Sequence, residues 1–192
     1  PPVIGRDGLI VRTGAEHPDS LEIHAWGAGV GGAAIDAGCW GGVPGGSSGG
    51  VEGIDPKVVI VLIGNNNMFF VGETGVEAAA KGVQMCVANA REKFPKADVI
   101  AVKIFPAHAP GNAFYENIKK TNAALDTLKL DSDPKVQVLD ISAEMLEADG
   151  SLKKNLFTPD NIHLSQEDGY SFFAGKLKPL VEKILGGHRP WW

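Results

Sequence analysis

Six consecutive apolar residues, Val58-Val59-Ile60-Val61-Leu62-Ile63, constrain this chain more than any other stretch. A run so rich in β-branched side chains has no polar face to show to water. It reads as a strand buried on both sides, which is the mark of a parallel sheet covered by helices. Asp55-Pro56-Lys57 precedes the run and Gly64-Asn65-Asn66-Asn67 ends it. Polar amides at the carboxyl end of a central parallel strand stand where open α/β sheets bind ligands. Asparagine is also a common turn former, and both readings apply to Asn65, Asn66 and Asn67.

The neighbouring segments keep the same alternation. Apolar residues at Val76, Ala79, Ala80, Val83, Val87 and Ala90 recur with a helical period over Val76 to Phe94. Asp98 to Phe105 reads as the next strand, and Pro106 to Asn112 as the loop at its carboxyl end. Ala113 to Leu130 is predicted helical, with Phe114, Ile118, Leu125 and Leu128 on one side. Val136 to Asp140 is a further strand, and a last helix runs from about Gln166 to Leu185, with Gly186-Gly187 closing it. Upstream, Pro2 to Gly5 reads as a first strand, Arg6-Asp7-Gly8 as a turn, Leu9 to Glu16 as a short helix, and Leu21 to His24 as a strand. Strands alternating with helices predict an α/β fold: a parallel sheet with right-handed crossovers and helices on both faces. Residues 1–187 are expected to form one domain, with 188–192 as a tail whose two tryptophans either pack on the body or mark a partner surface.

Composition narrows the function. A chain of 192 residues can bury about 70% of its unfolded surface and needs no covalent staple. The net charge of −5, without a basic cluster, argues against nucleic acid as the partner. Cys39 and Cys86 lack metal-ligand spacing, so no metal is expected; they read as two free, buried thiols unless the fold brings them together. There is no apolar run of about 18 residues, so no membrane-spanning helix is expected. The chain begins Pro1-Pro2 without a leader-like run, and secreted and cytoplasmic locations both stay open. The 25 glycines concentrate between Gly27 and Gly53. Gly27 to Gly32 follows a predicted strand, where a tight turn can bring backbone N–H groups close to a ligand. Gly41 to Gly53 reads as a surface loop within the domain.

Thr158-Pro159-Asp160-Asn161-Ile162-His163-Leu164-Ser165 places a carboxylate and an imidazole three residues apart, ahead of the last helix. An aspartate can hold a histidine in one tautomer and stabilise its protonated form, as a general base in acyl transfer requires. With Gly29–Gly32 and Gly64–Asn67 on the same sheet edge, the chain offers an Asp–His pair, backbone N–H groups and carboxamide donors. That set can stabilise an oxyanion.

Gly29-Val30-Gly31-Gly32, Val58 to Asn67, and Asp160 to Ser165 with Gly169-Tyr170 resemble, in that order, the second, third and fifth blocks of the SGNH/GDSL hydrolases. Within that family they are most similar to the branch holding the catalytic subunits of platelet-activating-factor acetylhydrolase and related bacterial acyl-esterases. The resemblance covers about Leu21 to Leu185. It implies a flavodoxin-like three-layer α/β/α sandwich and a carboxylic-ester hydrolase for short acyl groups such as acetyl. It implies His163 as general base, Asp160 as its partner, and the Gly32 N–H and Asn66 carboxamide as oxyanion donors. A small-molecule ester is the implied substrate, with no cofactor; oligomeric state stays open. The family's first block, Gly-Asp-Ser with the nucleophile, does not occur in this sequence. Its place falls near Asp7 and Gly8. Ser20, Ser47 and Ser48 are other nucleophile candidates, Ser20 standing ahead of the second strand rather than after the first. A second reading is therefore a non-catalytic relative that binds a carbohydrate, lipid or protein ligand. A third is a cofactor binder with Gly27–Gly32 on a phosphate, which leaves Asp160, His163 and Asn66 without a role.

Overall fold

β3, Val58–Val61, is buried along its whole length, with Val58 and Val59 only 1% exposed. The computed structural model describes residues 9–13, 21–25, 56–65, 67–68 and 75–186, with backbone alone for the first two segments. The elements in order are β1 (Leu9–Thr13), β2 (Leu21–Ala25), β3, α1 (Val76–Lys93), β4 (Asp98–Val102), α2 (Ala113–Thr127), β5 (Val136–Leu139) and α3 (Asp168–Ile184). Short 3₁₀ turns cover Leu130–Ser132, Ser142–Met145 and Lys154–Leu156.

The strands form one sheet in the order β2-β1-β3-β4-β5. β3, β4 and β5 pair in parallel, with Ile60 opposite Ile100 and Ile100 opposite Gln137. Alternate residues point to opposite faces. Val59, Val61, Val99, Ala101 and Val136 pack with α1 and Leu125 of α2. Val58, Ile60, Ile100 and Val102 pack with Phe173, Leu177 and Val181 of α3. Helices thus cover both faces, and the fold is a three-layer α/β/α sandwich. The predicted apolar stripe of α1 is the buried one: Val76, Ala79, Ala80, Val83, Val87 and Ala90 are all buried. Gly186, at φ +69°, ends α3 in the left-handed conformation expected of a terminal glycine.

Three expectations are corrected. Leu9–Thr13 is a strand, not a helix: Ile10, Val11 and Thr13 are β-branched and favour extended backbone. β1 also runs against its neighbours, pairing antiparallel with both β2 and β3. Only residues 14–20 separate β1 from β2, too few for the crossover of about a dozen residues that parallel neighbours need. The other four strands run the same way, so the carboxyl end of β2, at Ala25, lies on the edge where β3 ends. Finally, Cys86 is disulfide-bonded rather than a free thiol. The other cysteine, Cys39, lies outside the described residues, as do the predicted strand Pro2–Gly5, the loop Gly41–Gly53 and the tryptophan tail.

β4 leaves its ladder at Val102, earlier than predicted, yet Ile104, Phe105 and Ala107 remain buried. Asn122 of α2 satisfies the backbone there. Its Oδ1 accepts from Ile104 N–H at 3.0 Å and its Nδ2 donates to Ile104 C=O at 2.8 Å. A side chain thus replaces the missing strand partner and fixes the loop that follows.

Candidate active site

The loop Thr158–Ser165 is built around one carboxylate. Phe157 and Leu164 pair as an antiparallel bridge at its base. Thr158 N–H donates to His163 C=O at 2.8 Å, and Asn161 N–H to Thr158 C=O at 2.9 Å. Asn161 turns the chain in the left-handed region, at φ +58°, a conformation that asparagine tolerates better than most residues. That turn aims two N–H groups at Asp160. Its Oδ1 accepts from Ile162 N–H at 2.9 Å, His163 N–H at 3.0 Å and Thr158 Oγ1 at 2.6 Å. Its Oδ2 is left for the His163 ring, with Nδ1 at 2.5 Å.

Asp160 is ionised across the working pH range. Desolvation pushes its carboxyl up, but the bonds from Thr158, the His163 ring and the two N–H groups outweigh it and hold the group well below the usual carboxylate range. A carboxylate on Nδ1 keeps that proton in place and leaves Nε2 as the basic nitrogen. The His163 side chain is 42% exposed.

Helix α3 is seated by the same segment. Ser165 Oγ donates to Asn155 C=O at 2.6 Å and accepts from Gly169 N–H at 2.8 Å. A Cβ on Gly169 would stand 2.2 Å from the Leu156 carbonyl oxygen and 3.0 Å from Leu164 Cβ. Only glycine lets the helix start this close to the bridge that carries the dyad.

The loop also meets the carboxyl edge of the sheet. Ile162 packs on a cluster of Met68, Ala79, Ile104, Ala107, Phe114 and Ile118. Met68 follows the Gly64–Asn67 turn, and Ala107 lies in the loop after β4. Gly64 sits at φ +109°, and a Cβ there would meet Ile104 Cδ1 at 2.7 Å. Asn67 N–H donates to Gly64 C=O and Met68 N–H to Asn65 C=O, both at 3.1 Å. Asn65 Oδ1 is buried with no hydrogen-bond partner among the described residues.

Of the residues singled out from sequence, Asp160 and His163 are brought together. Gly32, Asn66, Asp7, Gly8, Ser20, Ser47 and Ser48 lie outside the described residues. Sequence reading missed Thr158, although Thr158-Pro159-Asp160-Asn161 is rich in turn-forming residues. It also missed Ile162 as the loop's apolar anchor; a lone isoleucine in a polar loop was the available sign.

A doubly covered α/β sheet with an Asp–His pair on the loop before its last helix defines a class, the flavodoxin-like α/β/α proteins with a dyad at the strand ends. Within that class this chain belongs to the GDSL-like lipase/acylhydrolase family, whose model matches residues 8–170. The alpha2 subunit of platelet-activating factor acetylhydrolase IB from Gallus gallus is 32% identical over 139 residues, which are 72% of this chain and 56% of that protein. The corresponding subunit from Rattus norvegicus is 29% identical over 72% of this chain and 57% of its own length. The chain therefore spans little more than half the length of the curated relatives it matches. A solved GDSL-like lipase from Bacteroides thetaiotaomicron superposes with a TM-score of 0.52 at 19% identity, over 67% of this chain and 63% of that one. That likeness concerns the fold.

Proposed function

We propose that this chain is a carboxylic-ester hydrolase for short acyl groups such as acetyl, with His163 as general base and Asp160 as its orienting partner. The observation that carries the reading is the Asp160–His163 contact of 2.5 Å on a loop packed against the strand-end turn. The family and the names of the relatives, which are acetylhydrolases, support the ester and the small acyl group.

In this reading a serine hydroxyl attacks the ester carbonyl while His163 Nε2 takes its proton. The Gly32 N–H and the Asn66 carboxamide hold the tetrahedral oxyanion, each such donor lowering the barrier by about 3–4 kcal/mol. His163 returns the proton to the leaving alcohol. Water, activated by the same imidazole, then releases the acid and restores the serine. Gly-Asp-Ser is absent from the sequence, so the serine is identified by chemical labelling.

Turnover of p-nitrophenyl acetate tests the reading, together with labelling by a fluorophosphonate and mapping of the labelled peptide. Hydrolysis that disappears in His163→Ala, with label on a single serine, is the expected result. Lack of turnover by the intact chain would overturn it. Ester binding without turnover would favour the non-catalytic alternative.

A further inference from the structure

His108 lies in the loop after β4, away in sequence from the dyad, and has a left-handed backbone conformation. Its φ is +61°, in the left-handed region that few residues other than glycine occupy. Such a conformation persists only where the surroundings enforce it, and it is found where function needs a group aimed. Here the surroundings are explicit. Ala107 before it is fully buried in the cluster with Ile104 and Phe114, and Asn122 clasps Ile104 from both backbone sides. The His108 ring stands edge-on to Phe114, with centroids 5.2 Å apart.

The conformation directs one group. His108 N–H donates to Asn161 C=O at 2.9 Å. That carbonyl belongs to the peptide unit whose N–H, on Ile162, donates to Asp160 Oδ1 at 2.9 Å. Asp160 Oδ2 in turn meets His163 Nδ1. One peptide plane is therefore gripped on both sides, and a continuous run of hydrogen bonds leads from the β4 loop to the imidazole. Bonds in such a run polarise one another. The two residues that bracket the first bond, His108 and Asn161, are both left-handed, so the contact depends on two unusual backbone states at once. Beside it, the Ile162 side chain packs on the strand-end cluster and Leu164 packs in the core on the α3 side of the sheet.

We propose that His108 is a positioning residue for the Asp160–His163 pair, acting through its left-handed backbone N–H on the peptide between Asn161 and Ile162. The imidazole of His108 has no part in the chemistry. The effect on rate rests on the ester-hydrolase reading, whereas the effect on the His163 ring does not.

The test compares three variants of the whole chain. His108→Gly keeps the N–H and the left-handed backbone. His108→Pro removes both. His108→Val keeps the N–H but disfavours the backbone state, and it serves if the proline variant does not fold. The first readout is the pair of ring nitrogen shifts of His163, measured by NMR without substrate at a pH where imidazole is neutral. The expected result is a single Nδ1–H tautomer in the parent and in His108→Gly, and a tautomer mixture in His108→Pro and His108→Val. The second readout is hydrolysis of p-nitrophenyl acetate. Misplacement of a catalytic group by about 1 Å can reduce rate about a hundredfold. A kcat loss of that order is expected for His108→Pro and His108→Val with KM unchanged, and parent-like kcat for His108→Gly. If His108→Gly loses the single tautomer as fully as His108→Pro, the backbone route is wrong. If His108→Pro keeps it, His108 does not position the pair. A parent chain with no hydrolysis would defeat the esterase reading, and the tautomer comparison would still decide this one.

Discussion

Asp160 divides its two oxygens between structure and chemistry. Oδ1 is occupied by Thr158, Ile162 and His163 N–H, which leaves Oδ2 a fixed direction toward the ring. Asp160→Asn keeps the size but offers a neutral amide, which cannot hold the Nδ1 proton or stabilise an imidazolium. If the chain is the proposed hydrolase, kcat should fall by about 10³–10⁴-fold with a smaller change in KM, measured with p-nitrophenyl acetate. The same carboxylate predicts a pH dependence. Its folded pKa is depressed, so its contribution to stability is complete above its unfolded value, about pH 4. That contribution is lost as pH falls from there toward the folded value. The urea midpoints of the parent and Asp160→Asn should therefore differ at about pH 4 and above and converge below it. A gap that does not narrow in acid would remove the carboxylate from this account. At this scale the sequence showed the Asp160–His163 spacing, because a three-residue separation is local. It did not show the Oδ1 bonds, which depend on Asn161 turning left-handed.

Helix α3 contrasts two glycines in one element. Gly169 touches the Leu156 carbonyl, while Gly175 is exposed and a Cβ there would meet nothing within 4 Å. Gly169→Ala forces the helix away from the Phe157–Leu164 bridge and should cost about 1–3 kcal/mol. Gly175→Ala removes backbone freedom from an open helical site and should stabilise by up to about 1 kcal/mol. Urea denaturation of both variants checks the pair, and equal effects would show that the close approach of α3 is unimportant. Arg91 fastens the end of α1, reaching Asp133 in the turn before β5 at 2.9 Å and the Ala97 carbonyl at 2.8 Å. Helix faces were legible in the sequence because a 3.6-residue period records which side is buried. The need for glycine at 169 was not, because the Leu156 carbonyl it meets comes from a separate turn.

Across the whole molecule, stability rests on the central parallel strands and their cover of helices. Ile100, fully buried on the α3 side of β4, is 0% exposed, whereas Val138 on the edge strand β5 is 37% exposed. Ile100→Ala should cost about 2–5 kcal/mol, measured by urea unfolding, because the cavity cannot collapse between two packed layers. Val138→Ala should change stability by less than about 1 kcal/mol, since little apolar area leaves water there. Charge holds the carboxyl ends of β4 and β5 together: Lys103 lies between Asp126 at 2.8 Å and Asp140 at 3.0 Å. Burial lowers the Lys103 pKa, but those two carboxylates outweigh it and keep the ammonium charged. The sequence by itself determined the buried strands, the helices that cover them and the carboxylate–imidazole pair, all features written within about one element's length. Only the tertiary structure decided that β1 runs against its neighbours, that Asn122 replaces a strand partner for Ile104, and that the β4 loop grips the peptide beside Asp160. Those outcomes depend on hydrogen bonds between separate segments, and the periodicity within one segment carries no record of which other groups it will meet.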